Sequence, residues 1–136
     1  MLPNLGKLLA LLSVAFLVAG CGEPLDPVYP VTGKVTLNGK PLTTGTVTFT
    51  PTGNGPSATG MIREDGTYEL KSHDDRAGAL PGSYKVSVSA VKINPQGMAL
   101  SLLPSKYSTG QTSGLTAEVE EKDTNTVDIE LTGNAN

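Results

Sequence analysis

From residue 31 onward the apolar residues of this chain recur at every second position in short runs, and each run stops at a turn rich in glycine, proline or asparagine. A period of two puts alternate side chains on opposite faces of a strand, and a helix has no use for it. Val31, Gly33, Val35 and Leu37 point one way, with Thr32, Lys34 and Thr36 opposite. Asn38-Gly39 supplies the positive φ of a tight hairpin, and Pro41 marks the short segment after it as an edge. Val47 and Phe49 then face a core while Thr46, Thr48 and Thr50 face water, until Pro51. A hairpin is expected from two runs, 57–63 and 67–72, joined at Glu64-Asp65-Gly66, with Tyr68 and Leu70 inward. After a loop over 73–82, residues 83–93 form the strongest strand pattern, with Tyr84, Val86, Val88 and Ala90 on the core face. Residues 94–114 lack a pattern and are expected to be mobile, with Tyr107, like Tyr29, at the surface. Leu115, Ala117 and Val119 begin a further strand, and Val127, Ile129 and Leu131 are buried by the last one.

These runs predict an all-β fold: a single antiparallel β-sandwich of about seven strands, prealbumin- or Ig-like with Greek-key connections, and almost no helix. A single cysteine leaves no disulfide to staple it, so stability must come from side chains buried between sheets.

The first twenty residues are built differently. Lys7 precedes an apolar run over 8–18, and Ala19 and Gly20 are small. That is the layout of an export signal, and eleven helical residues reach about 16 Å, half of a bilayer core. Without residues 1–20 the chain has 116 residues, one domain's worth, with nine basic and thirteen acidic side chains. An acidic domain without clustered cations argues against nucleic acid as a partner. The expected organisation is a signal at 1–20, a proline-rich tether at 21–30 with Pro24, Pro27 and Pro30, a sandwich over 31–133 and a tail at 134–136. The tether either lifts the domain off a surface or packs along it.

The sequence Leu17-Val-Ala-Gly-Cys21 resembles the lipobox of bacterial lipoproteins. The resemblance implies that fatty acyl groups such as palmitate are attached at Cys21, that Cys21 becomes the first mature residue, and that the membrane is a partner through that lipid. Two or three acyl chains hold a protein stably where one does not. Gly22 stands where an inner-membrane retention signal would place Asp, which points to the outer membrane, its periplasmic face or the cell surface.

A second resemblance covers nearly all of the remaining chain. The run Val31-Thr-Gly-Lys-Val-Thr-Leu-Asn-Gly-Lys-Pro-Leu-Thr-Thr-Gly-Thr-Val-Thr-Phe-Thr-Pro51 is similar to the opening of carboxypeptidase-regulatory-like, transthyretin-like domains. So are Asp65-Gly-Thr-Tyr-Glu-Leu70, Leu80-Pro-Gly-Ser-Tyr-Lys-Val86 and Asn125-Thr-Val-Asp-Ile-Glu-Leu131. These are turn and core residues, so the resemblance concerns fold rather than activity. It implies an accessory, structural or interaction module.

Candidate chemistry is sparse. His73 lies beside Asp74, Asp75 and Arg76, but neighbours on a loop hold a general base poorly, and no nucleophile motif accompanies them. One histidine and no cysteine cluster give no zinc site, and the acids lack calcium-loop spacing. The hydroxyisourate hydrolases of the transthyretin-like group carry several histidines and a Tyr-Arg-Gly-Ser ending; this chain ends Leu131-Thr-Gly-Asn-Ala-Asn136. Lys34 and Asn125 would be the pair for an isopeptide crosslink, yet Lys34 falls on the polar face. The expected function is therefore that of a lipid-anchored, non-enzymatic structural or protein-interaction module with an envelope-protein partner and no cofactor or metal. Its contact surfaces would be the edge strands and residues 94–114. The alternative is a domain that binds a peptide, glycan or calcium ion.

Overall fold

A computed structural model of the chain describes Gly20 and residues 24–135, so the expected signal segment and Cys21 lie outside the described residues. The fold is an all-β sandwich. One sheet is built on β1 (Val31–Leu37), flanked on one side by β10 (Asn125–Thr126) and β11 (Ile129–Leu131) and on the other by β5 (Thr67–Glu69) and β2 (Lys40–Pro41). The facing sheet runs β4-β3-β6-β9: Ala58–Met61, Thr46–Pro51, Gly82–Ser89 and Leu115–Val119. A separate two-stranded ribbon pairs β7 (Val91–Ile93) with β8 (Ala99–Ser101).

Most of the expected inward residues meet between the sheets, while Leu37, Leu115, Ala117 and Val127 are only partly buried at the margin of the core. Val31, Val35, Val47, Phe49, Tyr68, Leu70, Tyr84, Val86, Val88, Ile129 and Leu131 are all buried. Phe49 of one sheet lies 6.4 Å from the ring of Tyr68 in the other and 5.7 Å from Tyr84, both tilted, as aromatic quadrupoles prefer. Asn38 and Gly39, at φ 51° and 81°, make the hairpin into β2.

Four expectations are corrected. The sandwich is not wholly antiparallel, because β10 and β11 run parallel to β1. Alternation records which face a side chain takes and not which way its strand runs. There are eleven strand segments among the described residues rather than about seven, since the long runs are interrupted. The run 83–93 divides at Ala90: β3 and β6 pair only as far as Thr46 with Ser89, and beyond that the chain leaves the sheet to pair with its own return strand. Finally, residues 94–114 form a defined structure. A turn at 94–98 leads to β8, a 3-10 turn Ser105–Ser108 and one helical turn, α1 (Gly110–Ser113), and Leu103 and Tyr107 are buried. Tyr107 is thus a core residue and Tyr29 is half-buried, not at the surface.

The 57–72 hairpin forms but straddles the sandwich. Its ends are tied by Arg63 N–H to Thr67 C=O (2.8 Å) and by paired bonds between Thr59 and Lys71, while β4 belongs to one sheet and β5 to the other.

Candidate functional site

Two places were expected to carry function, Cys21 and residues 94–114 with the edge strands, and the His73 loop was the one candidate for acid–base chemistry, weighed and set aside. Cys21 lies outside the described residues, but residues 24–30 of the tether behind it do not. Arg76 Nη1 donates to the Asp26 carbonyl at 2.8 Å, Tyr29 and Ala79 exchange two backbone hydrogen bonds, and Asn125 N–H donates to Pro30 C=O. Of the two courses open to the tether, residues 26–30 take the one along the domain.

The His73 loop is an organised turn. Ser72 N–H donates to Arg76 C=O at 2.8 Å, Asp75 N–H to Ser72 C=O at 2.9 Å, and Asp75 adopts φ 67°. Asp74 accepts from the Ser72 hydroxyl and, at 2.7 Å, from Arg76 Nε. The Ser72 hydrogen bond first, and then Arg76, hold the Asp74 carboxyl down at about 2. Asp74 is thereby committed to a cation and a hydroxyl, while His73 points to solvent; the turn positions the tether rather than a proton-transfer pair.

Beside this turn, over β4 and β5, lies an open groove of about 570 Å³ bordered by Thr59, Met61, Arg63, Glu69, Lys71 and His73. Arg63 pairs with Glu69 at 3.1 Å across its floor, and both are largely exposed. Gly60 brings the two backbones together there, because a Cβ would sit 2.5 Å from the Glu69 carbonyl oxygen. Hairpin patterning cannot show such a groove, since its lining draws on β4, which pairs with β3 in one sheet, and on β5, which pairs with β1 in the other. Among the described residues no three His, Cys, Asp or Glu side chains converge as metal ligands.

Elsewhere the buried polar groups are used structurally. Asn125 Oδ1 accepts from Glu120 N–H at 2.9 Å, and its Nδ2 donates to the Glu120 carbonyl at 3.0 Å and the Pro30 carbonyl at 3.3 Å, closing the turn that carries the chain between sheets. Lys34, three residues along β1 from Val31, is exposed, so the strand that pairs Val31 with Asn125 does not bring Lys34 to it. Asp128 Oδ1 instead accepts from the Lys34 backbone N–H at 3.0 Å. Tyr84 donates to Leu80 C=O at 2.7 Å, the local tie of a tyrosine corner, and burial pushes its hydroxyl pKa up.

The remaining feature is the β7–β8 ribbon. Val91, Ile93, Met98 and Leu100 are all exposed on it, while its base is closed by Leu102 N–H to Ala90 C=O at 2.9 Å. A trace of it exists in the sequence. Val91 and Ile93 are out of phase with Tyr84, Val86 and Val88, so an apolar stripe changes face at Ala90.

Fold and polar chemistry together define a β-sandwich domain whose internal hydrogen bonds are structural and whose distinctive surfaces are a groove at one hairpin and a projecting apolar ribbon. The sequence matches no family model and no curated protein. Among solved structures it is similar to a DUF3823 family protein from Parabacteroides merdae, at 15% identity and a TM-score of 0.42, over 82% of this chain and 48% of that one. The chain spans about half the length of that protein.

Proposed function

We propose that this chain is a lipid-anchored β-sandwich of the bacterial envelope or cell surface, a carboxypeptidase-regulatory-like domain acting as a non-enzymatic structural or protein-interaction module. The observation that carries the reading is Leu17-Val-Ala-Gly-Cys21 at the junction between an apolar segment and the tether. Supporting it, the tether is seated on the domain by Arg76 and Ala79, so that an anchor at Cys21 would hold the sandwich close to its attachment point. Two side chains weighed for chemistry are engaged in structure, the Asp74 carboxylate by Ser72 and Arg76 and the Asn125 amide by Glu120 and Pro30.

The test is metabolic labelling with a fatty-acid analogue in cells expressing the full chain. Labelling and membrane fractionation that are both lost in Cys21→Ala are the expected result, and labelling that survives the substitution refutes the anchor. Crosslinking in intact cells, followed by mass spectrometry, then separates the two roles: a discrete partner absent from the Cys21→Ala control identifies an interaction module, and diffuse envelope contacts a structural one.

The groove between β4 and β5 favours a second reading, a binding site for a peptide or glycan with a polar, charge-paired floor at Arg63 and Glu69. A glycan or peptide array hit that is lost in Arg63→Ala would support it.

A further inference from the structure

The β7–β8 ribbon exposes 51% of Val91, 65% of Ile93, 56% of Met98 and 41% of Leu100. Register places these residues on both of its faces. Val91 is opposite Ser101 and Ile93 opposite Ala99, so those four share one face; Lys92 is opposite Leu100, and Met98, two residues before Leu100, joins them on the other. A folded partner laid against one face would leave the other in water. A ribbon of two three-residue strands also offers only on the order of 100 Å² per face, set against roughly 800 Å² per partner in a stable protein interface. Only a phase that surrounds the ribbon takes up both faces.

Charge specifies the phase. The chain is acidic overall, with thirteen Asp and Glu against ten Lys and Arg, yet no acid occurs between Asp75 and Glu118, and the charged residues there are Arg76, Lys85, Lys92 and Lys106. Lys92 lies on the ribbon, and Lys106 follows its base, above the Tyr107 ring at 4.9 Å. Exposed apolar side chains in a stretch of chain that carries cations and no acid match an anionic bilayer, where the aliphatic groups enter the interface and lysine stems extend to the headgroups.

We propose that the β7–β8 ribbon is a lipid-contact element that inserts Val91, Ile93, Met98 and Leu100 into the interface of an anionic membrane. The tether is fastened near Ala79, ahead of β6, whereas the ribbon leaves from the far end of β6, eight residues or about 26 Å along that strand. The ribbon contact is therefore separate from any acyl group at Cys21 and does not depend on it.

The chain has no tryptophan, so Ile93→Trp introduces a single reporter. The full chain with this substitution is mixed with vesicles of phosphatidylcholine alone or with phosphatidylglycerol, each also prepared with brominated acyl chains, and Asn54→Trp, in the exposed loop beyond the opposite end of β3, serves as the control away from the ribbon. The expected result is a blue shift and bromine quenching at position 93, stronger with phosphatidylglycerol, and little of either at position 54. Lys92→Glu in the Ile93→Trp background should weaken partition more than tenfold, since two units of surface charge change at about 1 kcal/mol each. Emission at position 93 that ignores lipid, or quenching equal at both positions, overturns the proposal. So does a blue shift that follows protein concentration and not lipid, which would assign the ribbon to a second copy of the chain. Repeating the assay with Cys21→Ala keeps the two readings apart, because ribbon quenching should persist there even where fatty-acid labelling is lost.

Discussion

Gly33 shows how one residue can be demanded by a distant part of the chain. A Cβ there would overlap the Val127 carbonyl and lie 2.9 Å from Tyr68 Cε1, while Tyr68 Oη donates to that same carbonyl at 2.6 Å. Burial pushes the Tyr68 hydroxyl pKa well above its ordinary value, and the hydrogen bond satisfies a group that could not be left unpaired. Gly33→Ala should therefore cost about 3 kcal/mol or more, read by urea denaturation of the full chain, because backbone rather than a flexible side chain must yield. Asn125→Ala strands the Glu120 N–H and two carbonyls and should cost about 2 kcal/mol in the same measurement. Asp74 makes a pH-dependent contribution. Its native pKa of about 2 lies below its ordinary 3.8, so the stabilisation is present above pH 3.8 and is lost as pH falls through 2. Ser72→Ala should raise the Asp74 carboxyl midpoint in an NMR titration; an unmoved midpoint would mean that Arg76 alone holds it.

Among the elements, the contrast between β6 and β7 is the most informative. β6 is paired on both sides, by β3 and β9, and buries Tyr84, Val86 and Val88; β7 has one partner and buries nothing large. A two-stranded ribbon is marginal by itself. Hydrogen exchange at the Lys92 and Leu100 amides should accordingly be orders of magnitude faster than at Val86. Ile93→Ser with Leu100→Ser should change folding stability by less than about 0.5 kcal/mol, since neither residue is in the core. A large loss of stability in that double variant would mean that the ribbon packs on the domain. Period-two alternation found β1, β3, β6, β9 and both ends of the 57–72 hairpin. It missed the order in residues 94–114, because the groups that create it are dispersed. Leu103 and Tyr107 bury themselves against the sandwich, the Tyr107 hydroxyl and the Thr132 backbone exchange hydrogen bonds, and the Ser113 hydroxyl donates to the Val86 carbonyl.

At the level of the molecule, the two sheets are joined by Phe49 between Tyr68 and Tyr84, so Phe49→Ala should remove about 3–5 kcal/mol and lower the midpoint of a single unfolding transition. Which residues of the alternating runs face inward, where those runs turn, and the presence of a cysteine at an apolar junction were determined by the sequence alone. Alternation and turn chemistry act over a few residues and need no partner to be read. Strand direction, the parallel course of β10 and β11 beside β1, the groove over β4 and β5, and the exposure of Val91, Ile93, Met98 and Leu100 were decided only by tertiary structure. A side chain's period states the face it takes on its own strand, whereas its neighbours, and whether anything covers it, depend on where strands distant in sequence come to lie.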